Sequence, residues 1–343
     1  MEYQLHTQFP LDLERDWNQL LERSASHVPF LRCDYLRAWW DTRGGGEWPS
    51  ECTLAIVTAW QDGSLAGIAP LFRVPDHQGQ PRLMLLGSIE ISDYLDLIAP
   101  PDVLADFIDG LLVFLTQAEL PRWQALDLYN LPDDSPSLPV LTEAAGRHGF
   151  VYRQEKLQHA PCIPLPGDWE TYLASIDKKQ RHEIRRKMRR VENAEVPVRW
   201  YIVRDADRLD AEIAAFFDLM KQDDAKARFL SAKMQETMRE VMRCAFEEGC
   251  LQLAFLEVDG KKAAGYVSFD YQNRIWVYNS GLNRDFYEYS PGWVLLGYLL
   301  RWANEQGRSE FDFMRGNEEY KYRFGAIDRS VVRACLTRRQ DLV

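Results

Sequence analysis

The chain has no metal-ligand spacing, no nucleotide-binding glycine loop and no apolar segment long enough for a bilayer. Its six cysteines (33, 52, 162, 244, 250, 335) include no CxxC pair and follow no regular interval. That argues against a disulfide framework and suits reduced thiols in a cytoplasmic protein. Six histidines are scattered without HxxxH or HExxH, so no dedicated metal site is expected. Neither GxGxxG nor GxxxxGK[ST] occurs, Gly44-Gly45-Gly46 reads as a plain loop, and a GxSxG nucleophile elbow is missing. The most apolar window, "GLLVFL" at Gly110 to Leu115, falls far short of the about 20 residues a spanning helix needs. Membrane insertion is therefore not expected. The opening "MEYQLHTQFPLDLERDW" has neither a basic n-region nor an apolar h-region, so no secretory signal is expected.

Positive charge is also in short supply. Lys and Arg number 41 against 52 Asp and Glu, a net charge of −11, which argues against general affinity for DNA. One stretch runs the other way. "KKQRHEIRRKMRR", Lys178 to Arg190, holds eight Lys/Arg against one Glu. Leu173, Ile176, Ile184, Met188 and Val191 recur at helical spacing through it, so the run reads as a helix with a narrow apolar stripe. Its basic face suits either plain solvation or attraction of an anionic ligand.

What is present is abundant core material: 46% hydrophobic residues, with eleven Trp, fifteen Tyr and sixteen Phe. At 343 residues the chain exceeds what one core organises, so two domains are expected. Internal similarity supports that division. "LAIVTAWQDGSLAGIAPLF" (Leu54 to Phe72) resembles "LAFLEVDGKKAAGYVSFDY" (Leu253 to Tyr271), each a β-rich pair of runs around Asp-Gly. Asp62-Gly63 and Asp259-Gly260 predict tight hairpin turns. An apolar helix follows each hairpin, at Val103 to Glu119 and Pro291 to Gln306. A strand then follows, at Trp123 to Pro132 and Ser309 to Glu318. Each half closes on a further strand, near "HAPCIPL" and "SVVRACLTRR", and helical material precedes each hairpin at Leu11 to Arg43 and Asp205 to Glu248. The expected architecture is a duplicated α/β unit with a mixed sheet, divided as residues 1–163 and 164–343 at the Pro-rich seam Pro161 to Pro166.

The second hairpin, "YNSGLNRDFYEYSPGWVLLGYLLRWANEQG" and "FDFMRGNEEYKYRFG" together resemble the GNAT acyltransferase superfamily. More narrowly they are similar to the branch associated with cellulose biosynthesis, and to the Fem-type aminoacyl transferases. The pattern is carried by Ser290-Pro291-Gly292, Arg315-Gly316, Glu318, Tyr320-Lys321 and Phe324-Gly325; Asn317 stands where the pattern has Asp. The resemblance implies two tandem GNAT-like domains and acyl transfer from acetyl-CoA or another acyl-CoA to a small-molecule amine, with no metal. It also implies a rival donor, aminoacyl-tRNA, which the acidic chain ranks lower. Loss of donor binding, leaving a partner or regulatory module, is a further alternative that the Asn317 departure favours.

The residues themselves suit such chemistry. Pro291 is preorganised for a first helical turn, and the N–H groups around Ser290, Gly292 and Trp293 would face a pyrophosphate. At the strand end, a carboxylate such as Glu318 can take an amine proton, Lys321 or a backbone N–H can stabilise an oxyanion, and Tyr320 can protonate a thiolate, with Arg315 beside them. The same Glu318-Glu319 and Lys321 equally suit a solvated turn with helical ion pairs. Asp93, Tyr94 and Asp96 after the first hairpin, with Asp270 after the second, are the candidates for a substrate cleft, though capping a strand end suits them too.

Overall fold

Both Asp-Gly dipeptides are turns with two consecutive left-handed residues: φ is 51° and 75° at Asp62 and Gly63, and 50° and 72° at Asp259 and Gly260. Such turns match the twist of the strands they join. The computed structural model describes residues 1–75 and 81–338. The chain forms two compact units: Met1–Gln158 with the final strand Ser330–Arg338, and His159–Arg329.

The first unit opens with β1 (Glu2–His6), α1 (Glu14–Glu22) and α2 (Cys33–Gly46). Strands β2 (Thr53–Leu54), β3 (Ile56–Gln61), β4 (Ser64–Ala69), β5 (Leu71–Val74) and β6 (Arg82–Leu85) follow. Then come α3 (Leu104–Gln117), β7 (Ala125–Pro132), α4 (Ser137–Arg147) and β8 (Phe150–His159). The second unit runs β9 (Cys162–Pro164), α5 (Trp169–Ser175), α6 (Lys178–Glu192), β10 (Val198–Ile202), α7 (Ala206–Met220), α8 (Asp224–Phe229) and α9 (Ala232–Glu247). It continues through β11 (Leu251–Val258), β12 (Lys261–Tyr271), β13 (Arg274–Leu282), α10 (Pro291–Glu305), β14 (Glu310–Asp312) and α11 (Glu319–Arg323). Strand β15 (Ser330–Arg338) ends the described chain.

The second unit is built on one sheet of order β10-β11-β12-β13-β14-β9, and the first on β2-β5-β6-β7-β15-β8 with a small sheet β1-β3-β4. Pairing is parallel between β13 and β14, and likewise between β6 and β7. The mixed α/β class and its duplication are thus present.

The closing strands differ from expectation. "HAPCIPL" contributes β9 to the second sheet, with Cys162 opposite Asp312, while β15 pairs with β7 of the first, with Leu336 opposite Leu126. The expected division at 163/164 therefore misplaces both strands. β-propensity marks a segment as a strand without encoding which edge it will join.

The basic run lies within one helix, α6, but the apolar stripe that starts at Leu173 spans two helices and not one. Asp177 accepts from the N–H groups of Lys179 (2.9 Å) and Gln180 (3.2 Å), an N-cap that starts α6 afresh after α5. Its apolar stripe packs as expected: Leu173, Ile176, Ile184, Met188 and Val191 join Val294, Leu295 and Leu299 of α10 in one buried cluster.

Candidate functional site

Parallel pairing of β13 with β14 covers only Arg274–Trp276 against Glu310–Asp312. Beyond Asp312 the backbone leaves extended geometry, with φ of 52° at Met314 and 121° at Gly316. Among the described residues the rest of β13 therefore has no strand beside it on that edge. One register shift adds to the distortion: Val267 pairs Asn279 but Ser268 pairs Val277, leaving Tyr278 as a bulge.

At this splay lies a pocket of about 220 Å³ whose wall includes Tyr266, Ser280, Leu282, Gly292, Trp293 and Tyr320. Ser290 (φ 49°, ψ 52°) precedes Pro291 at the start of α10, and among the described residues no side chain caps the first turn. Helix N–H groups with no side-chain cap carry partial positive charge and favour an anion. Helix α6 reinforces this, because Lys187 Nζ stands 4.2 Å over the Trp293 ring. The Trp293 Nε1 donor is buried without a hydrogen-bond partner. At Gly292 a Cβ would come within 2.6 Å of Leu282 Cδ2, so the end of that leucine side chain would have to shift to admit one.

Tyr266 and Tyr320 share this pocket. Neither phenol has a hydrogen-bond partner in the protein among the described residues. Burial raises the pKa of both, and proximity to Tyr266 and Glu318 adds to the effect on Tyr320. Both hydroxyls thus keep their protons at neutral pH and can donate to a ligand atom.

The "RGNEEYK" loop is wound around a lysine. Lys321 is 3% exposed, and its Nζ donates to the carbonyls of Phe313 (3.3 Å), Arg315 (3.1 Å) and Gly316 (3.1 Å). Glu318 Oε2 lies 2.9 Å from the same nitrogen. Four acceptors surround an ammonium with three protons, so the expected oxyanion role for Lys321 does not fit its geometry. Gly316 is favoured because its φ of 121° strains any residue with a Cβ, which would also crowd Glu318 Oε2 at 2.5 Å. Arg315 lends its carbonyl to Lys321 and does not line the pocket. Asn317 accepts from the Tyr322 hydroxyl at 2.7 Å on the exposed side of the loop. Asp312 binds the N–H of Met314 at 2.6 Å and is structural.

The substrate-cleft candidates are divided between the two units. Asp270 is ion-paired with Arg308 at 2.6 Å and lies outside the pocket wall. Asp93, Tyr94 and Asp96 belong to the first unit, where Tyr94 and Asp96 are buried. Asp96 accepts from the hydroxyls of Ser26 and Ser135 and from the N–H of Leu97 (2.8 Å). Burial nevertheless raises its pKa, so the folded state holds a proton that the unfolded chain releases at lower pH. The stability this confers is present below the ordinary carboxylate range and is lost as pH rises through the raised value. Asp96→Asn should therefore flatten the decline of melting temperature with rising pH above that range; an unchanged slope in thermal melts would refute this.

One residue carried no sequence signal: Lys226 of α8, whose Nζ donates to Ser280 O at 2.5 Å in the pocket wall. A larger pocket of about 630 Å³ opens in the first unit beside Trp48, Met84 and Tyr129. Arg82 and Arg333 both pair there with Asp127, at 2.5 and 2.6 Å, and Arg333 also pairs with Glu155, so much of its charge is matched internally. Among the described residues no group of three His, Cys, Asp or Glu is placed to hold a metal ion. No described helix is long and apolar enough to cross a membrane.

A splayed parallel pair beside an uncapped helix start is the arrangement against which the sequence can be compared. Residues 178–322 match the acetyltransferase (GNAT) domain family. The GNAT match thus runs from the start of α6 into α11 and includes every residue of the pocket wall named above. No curated protein sequence matches the chain. Solved structures do: a conserved protein of unknown function from Bacteroides thetaiotaomicron VPI-5482 superposes with TM-score 0.63 at 11% identity, covering 98% of this chain and 100% of that one. FemX gives TM-score 0.58 at 11% identity with 97% of both chains covered. L-PGS from Bacillus licheniformis gives 0.52 at 14%, with 83% of this chain and 84% of that one. At such identities the fold alone is what is shared.

Proposed function

We propose that the protein is an acyl-CoA-dependent N-acyltransferase acting on a small-molecule amine. The observation that carries the reading is the splay of β13 from β14 beside the uncapped start of α10, with two unbonded tyrosines in the same pocket. The pyrophosphate of the donor would sit on the first-turn N–H groups of α10, with Lys187 nearby, and the pantetheine would follow the open edge of β13. Backbone N–H groups on that edge would hold the thioester carbonyl as negative charge develops on it. The amine attacks the carbonyl carbon, the C–S bond breaks, and Tyr320 protonates the departing thiolate. A cytoplasmic location and an acceptor among amino sugars or envelope precursors accord with the resemblance to cellulose-associated and Fem-type transferases.

Ser290→Asp tests the anion site. A carboxylate at a helix start complements the helix dipole, so stability should hold or rise slightly. Acetyl-CoA affinity should fall by at least about tenfold, through repulsion of the pyrophosphate. Calorimetric titration showing equal affinity for both proteins would remove the phosphate from this helix. Aminoacyl-tRNA is the second reading, supported by Lys178, Lys179, Arg189 and Arg190, which stand exposed on α6. Activity abolished by ribonuclease and absent with acyl-CoA would select it.

A further inference from the structure

Among the described residues Tyr287 is the only aromatic side chain more than half exposed, at 57%. An exposed ring needs no explanation by itself, but the position of this one does. Tyr287 lines the pocket at the start of α10. It belongs to a short helical turn, Arg284–Tyr289, that leads directly into Ser290 and Pro291. Both ends of that turn are tied: Asn283 Oδ1 accepts from the Asp285 N–H at 3.0 Å, and the Ser290 N–H donates to the Tyr287 carbonyl at 3.0 Å. The backbone under the ring is therefore fixed, within one turn of the uncapped N–H groups of α10. Among the described residues the ring meets no other ring or cation, and its hydroxyl makes no hydrogen bond. No charged side chain of the described residues lines the pocket. What a ligand meets at this mouth is a flat apolar surface beside an anion site.

That pairing matches the two ends of a nucleotide, in which one ribose separates a flat base from its phosphate. We propose that Tyr287 stacks on the adenine base of the acyl donor and makes the site select donors that carry adenosine. This rests on the acyltransferase reading above. Both donors considered there share the chemistry: acyl-CoA bears an adenosine on its pyrophosphate, and aminoacyl-tRNA ends in one. The pantetheine arm of CoA offers no flat face and is left to the open edge of β13. Stacking draws on the ring and not on the hydroxyl, and it tolerates the exposure of the outer face because only one face is covered. The base would then fix the outer end of the donor while the helix start holds its phosphate.

Calorimetric titration of the full-length protein with CoA, and with 4′-phosphopantetheine, the same arm without the adenosine, tests the assignment. Tyr287→Ala should weaken CoA binding by about 10- to 100-fold and leave binding of 4′-phosphopantetheine unchanged. Tyr287→Phe should bind CoA as the wild type does. Tyr287→Leu keeps apolar bulk without a π face, and should bind CoA nearly as poorly as the alanine variant. The residue is exposed, so melting temperature should stay within about 3 °C of wild type in all three. Unchanged CoA affinity in Tyr287→Ala overturns the proposal, as does an equal loss with both ligands or a loss in Tyr287→Phe. Failure of the parent reading looks different, because the wild type then binds no CoA. In that case uncharged tRNA, intact and trimmed of its 3′ adenosine, tests the other source. A wild-type preference for the intact end that Tyr287→Ala loses keeps the base on this ring, with tRNA as the donor. No such preference overturns the proposal together with the acyl-CoA reading.

Discussion

Tyr320→Phe is expected to lower kcat for acyl transfer by about 100- to 1,000-fold, with little change in KM for the acyl-CoA. The hydroxyl has no hydrogen-bond partner among the described residues, so its removal leaves no group unsatisfied. The ring keeps its edge-on packing against Phe313, at 5.9 Å between centroids. Melting temperature should therefore stay within about 3 °C of wild type, a free-energy change of roughly 1 kcal/mol or less. Burial keeps the phenol protonated through neutral pH, the state that a leaving thiolate requires. Steady-state kinetics alongside thermal melts decide the matter. Unchanged kcat would show that the thiolate finds its proton elsewhere, and a rise in KM alone would recast Tyr320 as a binding group.

Lys321→Met should have the opposite signature, with a large loss of stability. The side chain is 4% exposed, and its removal leaves three carbonyls without their donor. Stripping the partner from buried polar groups costs about 1–3 kcal/mol each, reduced where water can reach them. Glu318 is 57% exposed and can be resolvated, so its share is small. A total of about 3–5 kcal/mol is expected, a fall in melting temperature on the order of 10 °C. Lys321→Arg should rescue poorly, because a planar guanidinium cannot occupy a site formed by three carbonyls of one turn. A Lys321→Met protein with unchanged stability and greatly reduced kcat would restore the oxyanion role to this residue.

The two substitutions mark how far residue patterns lead. Tyr320 and Lys321 are adjacent, and the motif containing them reads as one cluster of functional groups. The backbone separates them, sending one side chain into the pocket and folding the turn over the other. That separation depends on left-handed geometry at Met314 and Gly316, which only the glycine hinted at. The start of α10 was legible, since Ser-Pro-Gly has a local meaning at a helix N-terminus. So were the two Asp-Gly turns and the stripe from Leu173 to Val191, because each signal lies within a few residues of the structure it forms. Lys226 was not legible. Its helix is polar and its sequence neighbours are exposed, and the contact to Ser280 spans 54 positions along the chain. The Asp93, Tyr94 and Asp96 cluster misled for the converse reason. A dense acidic-aromatic pattern resembles a cleft, while Asp96 is wholly enclosed by serines and backbone.

Strand β15 carries a consequence for how the molecule is made. It lies between β7 and β8, in the interior of the first sheet, although the 171 residues of the second unit, His159–Arg329, are synthesised before it. Until the ribosome delivers it, β7 presents an open edge with Leu126, Leu128 and Leu131 unpaired on that side, the kind of surface that recruits a wrong strand. The first unit to emerge is thus the last to finish. A nascent chain halted after Gln158 should remain open to protease while one extended through Arg338 resists it, and a holding chaperone would have most to do in that interval.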